Sequence, residues 1–308
     1  MHKNLNWLRR CALAVLLLAA YGTLPASAQT ALDLDRVVWS ELRFEASKLI
    51  FKATTEIKLE RTQLADVVAA LLDPEERSWI DPVDDGNVVL RVSSNVLGRR
   101  SEARLWLAAS DGAAYQRDEL KGGRRYRVHR YAQSGVFTRT HEPASGERNA
   151  PHEEWSRVSS KYTEHPISLQ PTSSTSQQRV AEPLTLLLAA SAAPLDEPGD
   201  TTTLRVFSKG MLLDVELRVI AREASSHRYS ESSPSGEREV SGSIDSLRIG
   251  LEGRSAAGSE DTAELELLGL HGEIEILLDP DTRIPLQISG KLPILGRVNV
   301  HLRRVTLR

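Results

Sequence analysis

A cluster of basic residues between positions 117 and 130 is the strongest charge feature of the sequence. Alternate side chains of a strand share a face, so Arg125 and Arg127 would point the same way as His129 and Tyr131. Guanidinium groups in such a row bind phosphates and carboxylates, for example those of a lipid head group or of lipopolysaccharide. The alternative is a hairpin whose charges prevent edge pairing with other sheets. The full cluster is Arg117, Lys121, Arg124, Arg125, Arg127 and Arg130.

Patterns that would indicate catalysis or metal binding are missing from the sequence. It has no Gly-x-Ser-x-Gly elbow of an α/β-hydrolase, and no two histidines have the four-residue spacing of a helical zinc site. The acidic residues between positions 73 and 85 lack the central glycine and the closing glutamate of a calcium loop. The only cysteine is Cys11, near the start of the chain. We therefore expect a non-enzymatic protein with no metal and no cofactor.

Residues 1–28 have the layout of a secretory signal peptide. The basic residues Lys3, Arg9 and Arg10 precede an apolar run at positions 12–20, and the small residues Ala26-Ser27-Ala28 end the segment. The apolar run is too short for a permanent spanning helix, and no later stretch reaches the necessary length. We expect a periplasmic or secreted protein whose mature chain has no transmembrane segment and, once Cys11 is removed, no cysteine.

The overall charge balance argues against nucleic acid as a partner. The chain has 39 Lys and Arg against 42 Asp and Glu, a formal net charge of −3, and loss of the signal's basic residues makes the remainder more acidic. A nucleic-acid-binding protein would carry a strongly basic face or tail. Hydrophobic residues at 40% and charged residues at 26% are typical of a globular protein.

An apolar face recurs with period two along the first predicted strands. The even positions of 42–46 and the odd positions of 49–59 are mostly apolar, and charged residues occupy most of the positions between them. This pattern predicts antiparallel strands with one face in water, the second of them continuous from about residue 48 to residue 60. The face could line a ligand cavity or belong to an ordinary filled core. Its members are Leu42, Phe44, Leu49, Phe51, Ile57 and Leu59.

The sequence predicts a mainly β protein, with a curved antiparallel sheet that forms a barrel or half-barrel and two short helices. The helices are expected at residues 63–72 and 184–193, and a hairpin around Lys121-Gly122-Gly123. A change of side-chain parity near Arg303 predicts a bulge in the last strand. We expect residues 29–308 to form a single β-rich domain with a long polar insertion at about 143–183, which contains one short strand at about 155–162.

Several strand-like segments together resemble an exported bacterial family catalogued as domain of unknown function 3108. The segments are Trp39 to Ala46, Glu182 to Leu188, Leu204 to Gly210, and Gly272 to Leu286 continuing to Gly296. The resemblance spans nearly the whole mature chain. Members typically have an aspartate where Glu182 stands and a tryptophan in the strand that holds Leu277. The resemblance implies an exported β-rich protein and gives no catalytic residues.

Two functions are compatible with these observations. The first is a non-enzymatic periplasmic protein whose curved sheet binds a lipid or another apolar or amphipathic envelope molecule. The second is a structural or protein-interaction module in envelope maintenance, with the segment at 143–183 as a docking element or flap. Export, strand patterning and the missing catalytic signatures support both, and the sequence names no protein partner.

Overall fold

The computed structural model describes residues 31–48, 51–72, 79–84, 86–96, 98–132, 135–144, 147, 155, 161–166, 179–256, 264–293 and 295–308. The predicted signal peptide at 1–28 and most of the predicted insertion at 143–183 lie outside these residues. So do Leu49 and part of the acidic run at 73–85.

In the first half of the chain each strand pairs antiparallel with the next. Short turns join most of these strands, and longer segments join β2 to β3 and β7 to β8. A short 3-10 helix at Leu34–Arg36 precedes them, and α1 (Leu64–Ala70) lies between the second and third strands. The strands are β1 (Trp39–Lys48), β2 (Phe51–Thr62), β3 (Asn87–Val96), β4 (Arg99–Ala108), β5 (Ala114–Lys121), β6 (Arg125–Tyr131), β7 (Gly135–His141) and β8 (Lys161–Pro166).

The second half begins with α2 (Thr185–Ala192) and continues the same sheet. The sheet order is β8-β7-β6-β5-β4-β3-β2-β1-β15-β14-β13-β11-β10-β9, with β12 paired to β13. The first and last strands of the chain are therefore neighbours. The remaining strands are β9 (Thr201–Ser208), β10 (Met211–Ser233), β11 (Gly236–Ser255), β12 (Glu266–Leu267), β13 (Leu270–Leu278), β14 (Pro285–Leu292) and β15 (Gly296–Leu307).

A short parallel contact closes part of this sheet into a ring. Ser230 to Ser232 of β10 pair with Arg304 to Thr306 of β15, so that β10, β11, β13, β14 and β15 form a closed circuit. The predicted fold class is confirmed: the protein is mainly β, with one large antiparallel sheet and two short helices. Its strands form a ring without a clear barrel, as expected of a curved sheet or half-barrel.

The predicted inward face of the first strand is confirmed. Leu42, Phe44 and Ala46 are buried, whereas Arg43 is exposed. The predicted bulge is also present, because Arg43 pairs with Arg304 while Phe44 pairs with Leu302. Arg303 is the extra residue, and a bulge of this kind bends a strand as a curved sheet requires.

Several predicted strand limits differ from the structure. The strand predicted from residue 48 is two strands, since Lys48 ends β1 and pairs with Phe51 at the start of β2. Strands β10 and β11 are far longer than the predicted segments at 212–221 and 239–251. The distal half of β11 is largely exposed on both faces, and the inward face of the distal half of β10 carries mostly polar residues, including the buried His227 and Glu231, so the sequence there shows no apolar alternation. The short strand predicted at 155–162 is β8, which begins only at Lys161.

Both predicted helices are present, and α2 packs in the interior against the sheet. All eight of its residues are buried, as expected of a helix that is apolar on every side. It contacts the 3-10 helix, β13 and β14. The indole Nε1 of Trp39 donates a hydrogen bond to Ser191 Oγ at 3.2 Å and so links α2 to β1.

The carboxyl end of α2 is held by the buried side chain of Arg283. Its guanidinium donates hydrogen bonds to the carbonyl oxygens of Ala190, Ser191, Ala193 and Leu195, at 2.8 to 3.2 Å. Helix ends leave such carbonyls without partners, so this one side chain satisfies four of them. Burial, with a smaller contribution from Arg36, lowers the pKa of Arg283 to about 10, and Asp196 opposes the shift.

Candidate functional site

A cleft of about 1160 Å³ lies over one face of strands β2 to β7. The turn between β9 and β10 and the turn between β12 and β13 border it, through Lys209 and Leu268 among others. The segment that leads into α2, from Glu182 to Leu184, completes the lining. Six consecutive strands therefore contribute the same face to one open space.

Strand register explains which side chains reach the cleft. On one row of paired residues, Leu42 and Ile57 are followed by Val92, Ala103, Glu119, Arg127 and Thr140. This row is apolar over β1 to β4 and polar over β5 to β7. The next row behaves in the same way, from Leu59 through Leu90 and Leu105 to Arg117, His129 and Thr138.

The predicted hairpin around Lys121-Gly122-Gly123 is confirmed and carries the cationic end of the cleft. Gly122 and Gly123 have φ of 59° and 64°, a conformation that glycine adopts without strain. This two-glycine turn lets β5 and β6 pair in direct register from Lys121–Arg125 onward. Lys121 and Arg124, on either side of the turn, both line the cleft.

A buried ion pair closes the floor of the cleft. Arg117 Nη1 donates to Glu182 Oε1, and Arg117 Nη2 lies 3.5 Å from Glu119 Oε2. The second carboxylate oxygen of Glu182 accepts a hydrogen bond from the backbone N–H of Leu184 at 2.8 Å. The Glu182 side chain is 1% exposed and that of Arg117 is 24% exposed. The pair thus joins β5 to the chain entering α2.

Burial and charge act against each other at this pair. Burial raises the pKa of Glu182, while Arg117 and the Leu184 N–H act in the opposite direction. Burial would lower the pKa of Arg117, but the carboxylates of Glu182 and Glu119 outweigh it and raise that pKa. The adjoining Tyr131 is fully buried, and burial raises the pKa of its hydroxyl well above the ordinary value.

The acidic side chains of the cleft are all committed to ion pairs. Glu119 and Glu182 contact Arg117, Glu102 lies 2.8 Å from Arg100, and Glu266 lies 3.5 Å from Lys209. None of these carboxylates is left to neutralise the other cations of the lining.

Four cations of the lining have no carboxylate within 4 Å in the described part of the chain. The Nε atom of Arg127 is also buried without a hydrogen-bond partner among the described residues. A group of positive charges without carboxylate partners attracts anions, most strongly where the sheet excludes water from one side. The four cations are Arg99, Lys121, Arg124 and Arg127.

Apolar side chains lie beside these cations. Tyr131 and Phe207 pack edge to face, with ring centroids 6.3 Å apart, at the end of the cleft nearest α2. On the polar side, Thr138 Oγ1 and His129 Nδ1 are 2.9 Å apart. The apolar members of the lining are Val92, Val96, Ala103, Tyr131, Pro183, Leu184, Phe207 and Leu268.

The predicted site residues do not come together at one place. Arg127 lines the cleft, whereas Arg125 is not among the lining residues and its Nε donates a hydrogen bond to Glu142 Oε1 at 2.6 Å. Four of the predicted apolar residues are in the filled core and do not line the cleft: Leu42, Phe44, Ile57 and Leu59. Phe51 begins β2, and Leu49 lies outside the described residues.

Arg99 and Glu182 line the cleft although neither is among the predicted site residues, and Arg130 of the basic cluster does not line it. Arg130 is 3% exposed, donates a hydrogen bond to the carbonyl of Tyr115 at 2.7 Å and stacks on Trp79, so it belongs to the interior. The position of Glu182 in the sequence could have indicated its role. It directly precedes Pro183 and an apolar helix, and a carboxylate buried at such a position has to be paired.

Among the described residues, no group of three or more His, Cys, Asp and Glu side chains is placed to hold a metal ion. No helix in the same ranges is long and apolar enough to cross a membrane. Comparisons with protein-family models, with curated proteins and with solved structures found no match for this chain. The resemblance to domain of unknown function 3108 therefore stays a prediction.

Proposed function

We propose that this chain is an exported, non-enzymatic binding protein that holds an anionic amphiphile of the bacterial envelope in the cleft over β2 to β7. The observation that carries the proposal is the charge imbalance of the lining. Every carboxylate of the lining is paired, whereas four of its cations have no carboxylate partner among the residues that the structure describes. An anionic head group would supply the missing partners as charge-assisted hydrogen bonds.

The neighbouring apolar surface supports an amphiphile over a small inorganic anion. Val96, Ala103 and Leu268 share the lining with the unpaired cations, so one molecule can contact both. Burying an alkyl chain against such surface contributes about 0.8 kcal/mol per CH₂ group. The signal-like residues 1–28 support an address outside the cytoplasm, where such molecules are found.

Binding of two single-chain lipids to the purified mature protein tests the proposal. Lysophosphatidylglycerol is anionic and lysophosphatidylcholine is zwitterionic, and both are used with the same acyl chain below their micelle concentrations. We expect the anionic lipid to bind at least about tenfold more tightly, because both lipids present the same phosphate but the choline of the zwitterionic lipid brings a positive charge up to the cations of the cleft. Native mass spectrometry and calorimetry measure the two affinities.

Two arginine variants test whether the lipid binds on the face of the sheet that lines the cleft. Arg127→Gln should weaken binding of the anionic lipid roughly tenfold. Arg104→Gln is the matched control, because Arg104 is an exposed residue on the opposite face of β4. Equal effects of the two variants, or no binding of either lipid together with lipid-free protein from the native source, would contradict the proposal.

A further inference from the structure

The unpaired cations of the cleft are spread along it and are not gathered at one point. Arg127 is on the row of Ala103 and Glu119, Lys121 is on the next row with Ser101, and Arg99 is one row further. Rows that share a face are about 6.6–6.8 Å apart along a strand, because alternate residues face the same side. The positive charge therefore extends from the middle of the face to its end.

The separation of these charges follows from the sheet geometry. Arg99 is four residues along β4 from Ala103, the row partner of Arg127, and β4 and β6 are two strands apart. These offsets amount to about 13 Å along the strands and about 10 Å across them, which places the two Cα atoms about 16 Å apart. Strand side chains stand roughly perpendicular to the sheet, so the two guanidinium groups would both have to lean along the sheet to contact the same anion.

One phosphate or carboxylate does not compensate charges at this spacing. An anion contacts a guanidinium or ammonium group through hydrogen bonds of about 2.7–2.9 Å, so each anionic group is limited to the cations immediately around it. Lys121 and Arg124, on either side of the glycine turn, lie between Arg99 and Arg127 in the lining. The four cations can thus bind two anionic groups, one near Arg99 at the start of β4 and one near Arg127.

From this distribution we infer that the ligand of the cleft carries at least two separate anionic groups, as a bis-phosphorylated amphiphile does. The inference rests on the proposed function, since it specifies the head group of the molecule held in the same cleft. It also accounts for Arg99, which is too far along the sheet to contact a single anion bound at Arg127.

A matched pair of glycolipids tests the inference. The probes are acylated glucosamine disaccharides with identical acyl chains that carry either one phosphate or two. The mature protein should bind the bis-phosphorylated form about tenfold or more tightly, because the second phosphate gains its own charge-assisted hydrogen bonds. A ratio below about twofold would overturn the inference and leave the proposed function intact. Failure of both glycolipids and of lysophosphatidylglycerol to bind would remove the proposed function itself.

Two variants test whether Arg99, at the start of β4, is responsible for the preference for the bis-phosphorylated glycolipid. Arg99→Gln should reduce the ratio between the two glycolipids to below about threefold, because it weakens binding of the bis-phosphorylated form more than binding of the mono-phosphorylated form. Arg104→Gln, on the opposite face of the same strand, should leave the ratio unchanged. Loss of the preference in both variants, or in neither, would contradict the assignment. Melting temperatures of both proteins show that the changes are not due to unfolding.

Discussion

At the scale of single residues, the Arg117–Glu182 pair decides whether the floor of the cleft is stable. Removing one partner of a buried pair leaves an uncompensated charge, which costs about 3–5 kcal/mol. Glu182→Leu should therefore lower the free energy of unfolding by about this amount, measured by urea denaturation at neutral pH. Glu119→Gln is the control, because Glu119 is 20% exposed and lies 3.5 Å from the same guanidinium. Its expected cost is about 1 kcal/mol or less. Equal losses in the two variants would show that Glu182 is not the partner that matters.

At the scale of elements, α2 depends on one side chain that belongs to the turn before β14. Arg283→Met removes a donor from four carbonyls at and just beyond the end of the helix. The Ala193 carbonyl keeps the Leu195 N–H and Arg36 as donors, so up to three carbonyls are left unsatisfied, each at a cost of about 1–3 kcal/mol. We expect a loss of about 3–5 kcal/mol, together with faster hydrogen exchange of the α2 amides. Arg36→Met is the comparison, since Arg36 donates only to the Ala193 carbonyl among these and is 27% exposed. If exchange in α2 is unchanged in the Arg283 variant, the helix end is held by other contacts.

Local sequence patterns predict some elements of the fold, whereas contacts between distant parts of the chain cannot be predicted from such patterns. The two-glycine turn and the alternation of β1 are local signals, and the structure has both. The inward face of the distal half of β10 carries mostly polar residues, such as the buried His227 and Glu231, so it has no apolar period to detect. Glu182 and Arg117 are 65 positions apart, and only the tertiary fold brings them together. Arg125 and Arg127 have the same parity, yet only the structure shows that Arg127 lines the cleft and that Arg125 pairs with Glu142.

At the scale of the whole molecule, the ring formed by β10, β11, β13, β14 and β15 holds two histidines, of which His227 is buried and His301 is half-buried. His227 Nε2 lies 2.6 Å from Ser225 Oγ, which in turn lies 2.9 Å from Ser246 Oγ. Burial lowers the pKa of His227, the nearby His301 lowers it further, and Asp279 opposes the shift. Burial and then Arg303 lower the pKa of His301. Both imidazoles thus favour the neutral form in the folded protein.

This preference predicts that the folded protein loses stability on acidification. The unfolded chain takes up protons near the ordinary pKa of 6.5, and the folded chain does so only at lower pH. The contribution of the two histidines is therefore complete above pH 6.5 and declines as the pH falls from there towards the folded-state values. Urea unfolding between about pH 7.5 and about pH 5 measures the decline. Carboxylates also contribute in this range, so the comparison is with the variant His227→Gln/His301→Gln, whose stability should fall less steeply. Identical slopes for the two proteins would show that the histidines of the ring are not the source of the pH dependence.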